Sequence, residues 1–525
     1  MEVLLFNTNT ASDKENKNKS SEVETSSTAL VLAMIAGFFL IDKNISKIEL
    51  YYFNHFEEIY LSCYAILVFI ALFLIFQIRK KTKDMDARFN LLSPMWIKNY
   101  FSTPIGLTKD KIKLYLTDEA RCSHVQVIGS TGRGKTKSVV IPWTIRDLKR
   151  GKSVIIIDGK GSTDLPEEIF YWLERGDIEC QKFHFDLDNP ESSIRINPLK
   201  HGTAQQVTDR IFSSFEFDDT FYESVQYDIC GYLVRLIIES KEVVTFTLLY
   251  DLLTDDKILT ELVSKLKEDS SLRNVFKKYL LEPMRERRKK SAGLISQLSP
   301  FASSEIAPIV NSTDDTNILS ELMLNSSDTK VLIFSIPTLK YQKLGQQLGK
   351  LILQELAWSV GERERMDGNK FTSVFLDEFS EFVYDGFISI LNKARSAKVG
   401  LHLCHQSISD LTKISESFAR GVNTNTNIKC ILGLNDPETA DFYARHFGTV
   451  TKSKFTEQTV ETGFFKSKKV TGKASMREVE SYKVHPNILK ELYKGKGVLH
   501  LPTSRGVVTE VIMFDAFSEA ELENL

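Results

Sequence analysis

Residues 129–136 read Gly-Ser-Thr-Gly-Arg-Gly-Lys-Thr. This run constrains the fold more than any other stretch of the chain. A phosphate-binding loop of the G-x-x-x-x-G-K-[ST] form works only between a buried strand and the helix it opens. Both flanks are present: Val125–Ile128 is apolar and strand-like, and Lys137–Arg150 reads as a helix whose N-terminus favours anionic phosphate. Gly129, Gly132 and Gly134 let backbone N–H groups turn inward, with Ser130, Thr131 and Arg133 completing the cradle. Lys135 is placed to reach the β- and γ-phosphates, and the Thr136 hydroxyl to ligate Mg²⁺. The expected ligand is therefore ATP with Mg²⁺.

Beyond Arg88, apolar strands alternate with helices, which predicts an α/β, doubly wound sheet of the RecA-like P-loop kind. Expected strands are Val125–Ile128, Ser153–Ile157, Lys182–Asp186, Val331–Ser335, Thr372–Leu376, Leu401–Cys404, Asn427–Leu434 and Gly497–Leu501. Between Thr203 and Leu324 the period shifts to that of helices, as in Ser224–Ile238 and Asp256–Leu266. An inserted all-α domain over 203–325 follows, interrupting a P-loop domain made of 79–202 and 326–525. Residues 450–475, rich in Thr and Lys, predict an exposed hairpin or loop.

The N-terminus points to a membrane. Residues 1–27 are polar and read as a disordered tail. Two apolar segments follow, over 28–41 and 59–78, and the second has the length a bilayer needs. Arg79, Lys80, Lys81 and Lys83 then form a positive-inside stop. The expectation is a two-helix transmembrane hairpin with both ends in the cytoplasm. Six cysteines without a C-x-x-C pair exclude a zinc or disulfide framework and suit a reducing compartment. A formal net charge of −2 excludes a global basic field, so any nucleic-acid contact must come from local patches. Candidates are Arg285, Arg287, Arg288, Lys289 and Lys290 in the insert, and Lys452, Lys454, Lys466, Lys468, Lys469 and Lys473 near the predicted hairpin, with Phe455, Phe464 and Phe465 among them.

The second half of the site is Thr-Ser-Val-Phe-Leu-Asp-Glu at 372–378, an apolar strand ending in two carboxylates. Asp377 would hold Mg²⁺ and Glu378 would polarise the attacking water. The 242 residues separating Lys135 from Asp377 require the insert. Gln406 is expected at the end of a strand beside the phosphate loop, where it would sense the γ-phosphate. Arg395 is the candidate arginine finger, acting on a neighbouring subunit's nucleotide.

The order of these pieces resembles the conjugative coupling proteins, the TraD/TraG class of type IV secretion ATPases in the FtsK/HerA superfamily. The resemblance rests on the hairpin, His124 through Thr136, Ile157-Asp158-Gly-Lys160-Gly161, the helical insert and Leu376-Asp377-Glu378-Phe379. It continues through Ala394-Arg395 with Gly400, His405-Gln406-Ser407, Asn435-Asp436-Pro437-Glu438-Thr439-Ala440 and Gly495-Lys-Gly-Val498. It implies an inner-membrane ATP hydrolase, six subunits in a ring around a DNA-sized channel. It also implies a relaxase and the secretion channel as partners, and a relaxase-bound single strand as cargo, with protein effectors the alternative.

Overall fold

The structure, a computed structural model, describes residue 62, residues 64–73, 92 and 95, and residues 100–519 apart from 218, 315–316, 326, 463–466 and 515. The side chains of 454–476 lie outside that description. So do the polar tail, the first apolar segment and both ends of the second. Residues 64–73 are helical with their apolar side chains exposed. Among the described residues no helix is long and apolar enough to cross a membrane.

The body from Asn90 onward is built on one eleven-stranded sheet. Its strands are β1 (Ser102–Thr108), β2 (Lys113–Thr117), β3 (Val125–Ile128), β4 (Val154–Asp158), β5 (Gln181–Asp186), β6 (Lys330–Ser335), β7 (Thr372–Asp377), β8 (Val399–His405), β9 (Ile428–Ile431), β12 (Lys496–Thr503) and β13 (Gly506–Phe514). The spatial order is β2-β1-β13-β12-β9-β3-β8-β7-β4-β6-β5. From β5 to β9 every neighbouring pair is parallel. Strands β3, β4, β6, β7 and β8 are buried at every position, as expected of parallel strands covered on both faces. Period two sorts their side chains. Ile155 and Ile157 join one core, while Val154 and Ile156 join the other.

Two features lie outside what the sequence led us to expect. Strands β12, β13, β1 and β2 extend it in antiparallel fashion. In β1, Pro104 and Gly106 interrupt the strand pattern at a register shift. Glycine is needed at 106, since a Cβ there would lie 2.2 Å from the Met513 carbonyl oxygen. The segment after the phosphate loop is also not one regular helix. A π turn, Thr136–Val140, precedes the helix α1, Ile141–Lys149. The predicted hairpin is present as a separate two-stranded ribbon, β10 (Thr449–Thr462) with β11 (Ser467–Tyr482).

Between β5 and β6 the chain makes nine helices, from Ala204 to Leu324, with no strand among the described residues. Thr203 starts the first with a capping box closed by Gln206. Leu233, Leu249 and Leu298 from these helices belong to the same buried cluster as Ile155, Ile157, Phe334 and Leu376 of the sheet. The helical segment therefore shares its core with the sheet. Glu355 ties the two polar layers: its buried carboxylate accepts from Arg210 Nη1 at 2.9 Å and Asn317 Nδ2 at 3.2 Å and pairs with His201 Nδ1 at 2.9 Å.

A buried ionic knot pins the far end of α1. Asp147, fully buried, accepts from Arg121 Nη1 and Nη2 at 2.7 Å each, Arg150 Nη2 at 2.7 Å, Ser373 Oγ at 2.8 Å and Thr103 Oγ1 at 2.9 Å. Arg121 is itself fully buried, bonded to His402 and stacked near Trp143 and Phe371. One carboxylate thus joins α1 to β1 and β7, and through Arg121 to His402 of β8.

Candidate functional site

The parallel strands end on one edge, where an α/β sheet places its ligands. Strand β3 delivers the phosphate loop there, and β8 and β7 lie beside it in that order. Gly132 and Gly134 hold φ of +78° and +93°, the left-handed turns that aim amides inward. Lys135 is buried; its Nζ donates to Gly129 O at 2.8 Å and lies 3.8 Å from Glu378 Oε1. Thr136 Oγ1 donates to Asp377 Oδ2 at 2.9 Å, across 241 residues of sequence.

Glu378 follows β7 in the left-handed region, at φ 51° and ψ 42°. That conformation costs a non-glycine residue about 1–2 kcal/mol and recurs at functional positions. It directs the carboxylate to Gln406, whose Nε2 donates to both Glu378 oxygens at 3.1 Å. The other end of the same amide accepts from Thr131 Oγ1 at 2.8 Å. Gln406 thus bridges the phosphate loop and the second carboxylate, as its predicted place beside the loop implied. Asp410 fixes the backbone on either side, accepting from the amides of Gln406 and Ser407 at 2.9 Å each.

The opposite flank braces the loop. Ser130 N donates to Gly433 O at 3.0 Å, and Ser130 Oγ accepts from Asn435 N at 2.7 Å. The Arg133 guanidinium faces this flank, donating to Asn435 Oδ1 at 3.0 Å and Leu492 O at 3.2 Å. Asp436 caps the helix Pro437–Phe447, and Thr439 Oγ1 accepts from Ile408 N at 3.0 Å. The segment Asn435–Thr439 thereby links the phosphate loop to the turn after Gln406. Asn435, Asp410 and Thr439 were missed as site residues. Two of them lie in a motif already visible, and only the fold shows what it holds.

Asp158 was also missed. It ends β4 in register with Asp377, and its oxygens accept from Lys160 N at 2.9 Å and Ser162 N at 3.1 Å. Burial, then the neighbouring Asp377 charge, pushes its pKa up to about 7. Burial and Glu378 likewise raise Asp377. Three carboxylates against two lysines, Lys135 and Lys160, make a site short of positive charge. No group of three or more His, Cys, Asp or Glu among the described residues is arranged to chelate a metal unaided. That donor set suits Mg²⁺, which keeps waters and phosphate oxygens in its shell and needs only one or two protein oxygens. His405 is scaffold: burial lowers its pKa to about 4, and its ring bonds Gln126 and Ser407 O.

Arg395 does not join this constellation. It follows the helix Ile388–Lys393 on the way back to the start of β8, close to His124, which precedes β3. That is the sheet edge opposite the phosphate loop. It is exposed and makes no side-chain hydrogen bond or ion pair among the described residues.

Strand order, loop and paired carboxylates define a RecA-like P-loop nucleotide-binding fold. Residues 372–489 match the family described as the TraM recognition site of TraD and TraG. The type 4 coupling protein DotL of Legionella pneumophila is 23% identical over 418 residues, 68% of this chain and 53% of that protein, so the chain spans about half the length of this curated relative. The plasmid coupling protein TrwB, solved with a non-hydrolysable ATP analogue, superposes with a TM-score of 0.57 at 14% identity, covering 82% of this chain and 92% of that one. VirB4 of Thermoanaerobacter pseudethanolicus superposes with 0.53 at 13% identity, over 81% and 99%. TrwB has also been solved with ADP and Mg²⁺. Segment, relative and fold point the same way: the chain is similar to type IV coupling proteins, the class its motif order resembles.

Proposed function

We propose that this chain is a membrane-anchored, ATP-driven motor that couples DNA, as a relaxase-bound single strand, to a type IV secretion channel. The observation that carries the reading is the continuous contact path Thr136–Asp377 and Thr131–Gln406–Glu378, which joins both halves of a hydrolytic site on one sheet edge. Residues 129–136 would hold the phosphates, with Lys135 moving from Gly129 O onto the β- and γ-oxygens. Thr136 and Asp377 would hold Mg²⁺, which when bound supplies charge to stabilise the phosphoryl oxygens. Glu378 would take the proton of the attacking water as the bond between the γ-phosphorus and the bridging oxygen breaks. Gln406 would hand Glu378 over from its own amide to that water. Arg395, remote from its own site and without a side-chain hydrogen bond or ion pair among the described residues, would act on a neighbour's nucleotide in a homo-hexamer. The inserted domain is taken as 203–325 within a P-loop domain of 79–202 and 326–525, and the segments 28–41 and 59–78 as the inner-membrane anchor.

A second reading, an ATP-dependent receptor for protein effectors, is favoured by the fate of the insert's cationic run. In the helix Met284–Lys290, Arg287 is buried against Asp256, Lys290 pairs with Glu282 and Arg288 donates to Thr254 O, which leaves Arg285 and Lys289 without a partner among the described residues. The ATPase rate of the full chain in detergent, with and without single-stranded and duplex DNA, tests both. Several-fold stimulation by single strands supports the motor. Hydrolysis indifferent to DNA favours the effector receptor.

A further inference from the structure

The turn Tyr493–Lys496 lies directly against the phosphate loop. Arg133 anchors it through Leu492 O, and Lys496 N closes it on Tyr493 O at 3.0 Å, with Gly495 at φ +83°. A Cβ built on Gly134 would meet Lys494 Cγ at 3.2 Å and Gly495 N at 3.7 Å, so the aliphatic stem of Lys494 rests on the loop's own backbone. Lys494 is exposed, and its ammonium makes no hydrogen bond or ion pair among the described residues. The neighbouring Lys496 is different: its ammonium lies 5.2 Å from the centre of the Tyr493 ring.

Sheet order gives this lysine a direction. The groups assigned to the γ-phosphate, Asp377, Glu378 and Gln406, stand on the β8–β7 flank of β3. Lys494 stands on the β9–β12 flank with Asn435 and Leu492. A phosphate chain with its γ end toward the first flank brings its α-phosphate and nucleoside toward the second. We infer that Lys494 is a second cationic contact to the nucleotide, made at the α-phosphate. The inference rests on the nucleotide-site reading above and adds a residue to it. Lys135 serves the end that is transferred; Lys494 serves the end that stays the same in ATP and ADP.

The test measures affinity of the full chain, in detergent micelles, for fluorescent N-methylanthraniloyl ADP and the matching non-hydrolysed ATP analogue. Lys494→Met keeps the stem on Gly134 and removes only the charge. A lost charge-assisted hydrogen bond at an exposed site weakens binding about tenfold. The expectation is equal weakening, about tenfold, for both nucleotides, with Lys494→Arg recovering most of it and Lys496→Met changing neither. Weakening confined to the triphosphate would overturn the α-phosphate assignment. Unaltered affinity in Lys494→Met, or Lys494→Arg as weak as Lys494→Met, would show a packing role only and overturn the inference while leaving the site standing. A wild-type chain that binds neither nucleotide would remove both.

Discussion

Asp147 offers the sharpest test of how the nucleotide edge is supported. Its carboxylate is the shared acceptor of Arg121, Arg150, Thr103 and Ser373, and no water reaches it. Burial opposes its ionisation, but Arg121 and Arg150 outweigh that and hold it well below the ordinary carboxylate range. Asp147→Asn keeps the shape, deletes the charge and turns an amide donor toward a guanidinium. Arg150 keeps Asp118 at 2.8 Å, so the stranded cation is Arg121. Leaving a buried charge without its partner costs about 3–5 kcal/mol. Unfolding entropy of ~2.1 cal/mol/K per residue over about 420 residues gives ~0.9 kcal/mol per degree, so Tm should fall by roughly 3–6 °C. Near-UV circular dichroism melts of the full chain would record it. Arg121→Met added to Asp147→Asn should restore at least half of the loss, because the liability is the unpaired cation. The folded pKa is depressed, so the stabilisation is present above about pH 4 and is lost as pH falls below it. The gap between variant and wild type should close in acid. A single variant within 1 °C of wild type, or a double variant less stable than the single, would refute the argument.

Other consequences can be checked more simply. Lys135→Ala and Glu378→Gln should each lower ATP turnover by ~10²-fold or more, with Glu378→Gln retaining bound ATP on rapid filtration; wild-type turnover in either would remove the site assignment. Arg395→Ala should bind nucleotide yet hydrolyse ~10³-fold more slowly, and mixing it with Lys135→Ala should recover activity if the arginine works on a neighbour. Lys429 is buried with its ammonium donating to Asn423 O and Thr426 Oγ1, and burial lowers its pKa to about 7. Its folded pKa lies below its unfolded one, so this residue costs stability progressively as pH falls from about 10 to 7 and no further below. Lys429→Met should flatten the Tm profile across that window, and an unchanged slope would count against the burial argument.

How much of this was legible in the sequence depends on whether a residue acts through its neighbours in the chain or across the sheet. The phosphate loop and β7 announce themselves because their chemistry is local: a glycine pattern and an apolar run ending in Asp377 and Glu378. The place of Gln406 followed from the same logic, since a strand must end beside the loop. Asp158, Asp410 and Asn435 did not stand out as site residues. Each works by meeting an element far along the chain, as when Asn435 reaches Ser130 across 305 residues. The antiparallel strand β1 escaped because Pro104 and Gly106 disguise it, and the π turn escaped because its residues are those of an ordinary helix. A helical stretch between Thr203 and Leu324 was visible in the change of period. Its shared core was not, because hydrophobic spacing shows which face is buried but not against what.

That shared core has a mechanical consequence. Leu233, Leu249 and Leu298 pack in one cluster with Ile157 and Leu376, and Glu355 locks the polar layer beneath them. A lever needs a stiff beam and a soft joint, and the shared cluster ties the helical block to the sheet that carries the nucleotide edge. Any displacement produced at Thr136 and Glu378 would be carried outward without loss in a hinge. In the ring proposed above, compliance would then lie at the seams between subunits. Substitutions that loosen the Glu355 layer would let the beam bend, separating ATP turnover from the work drawn from it.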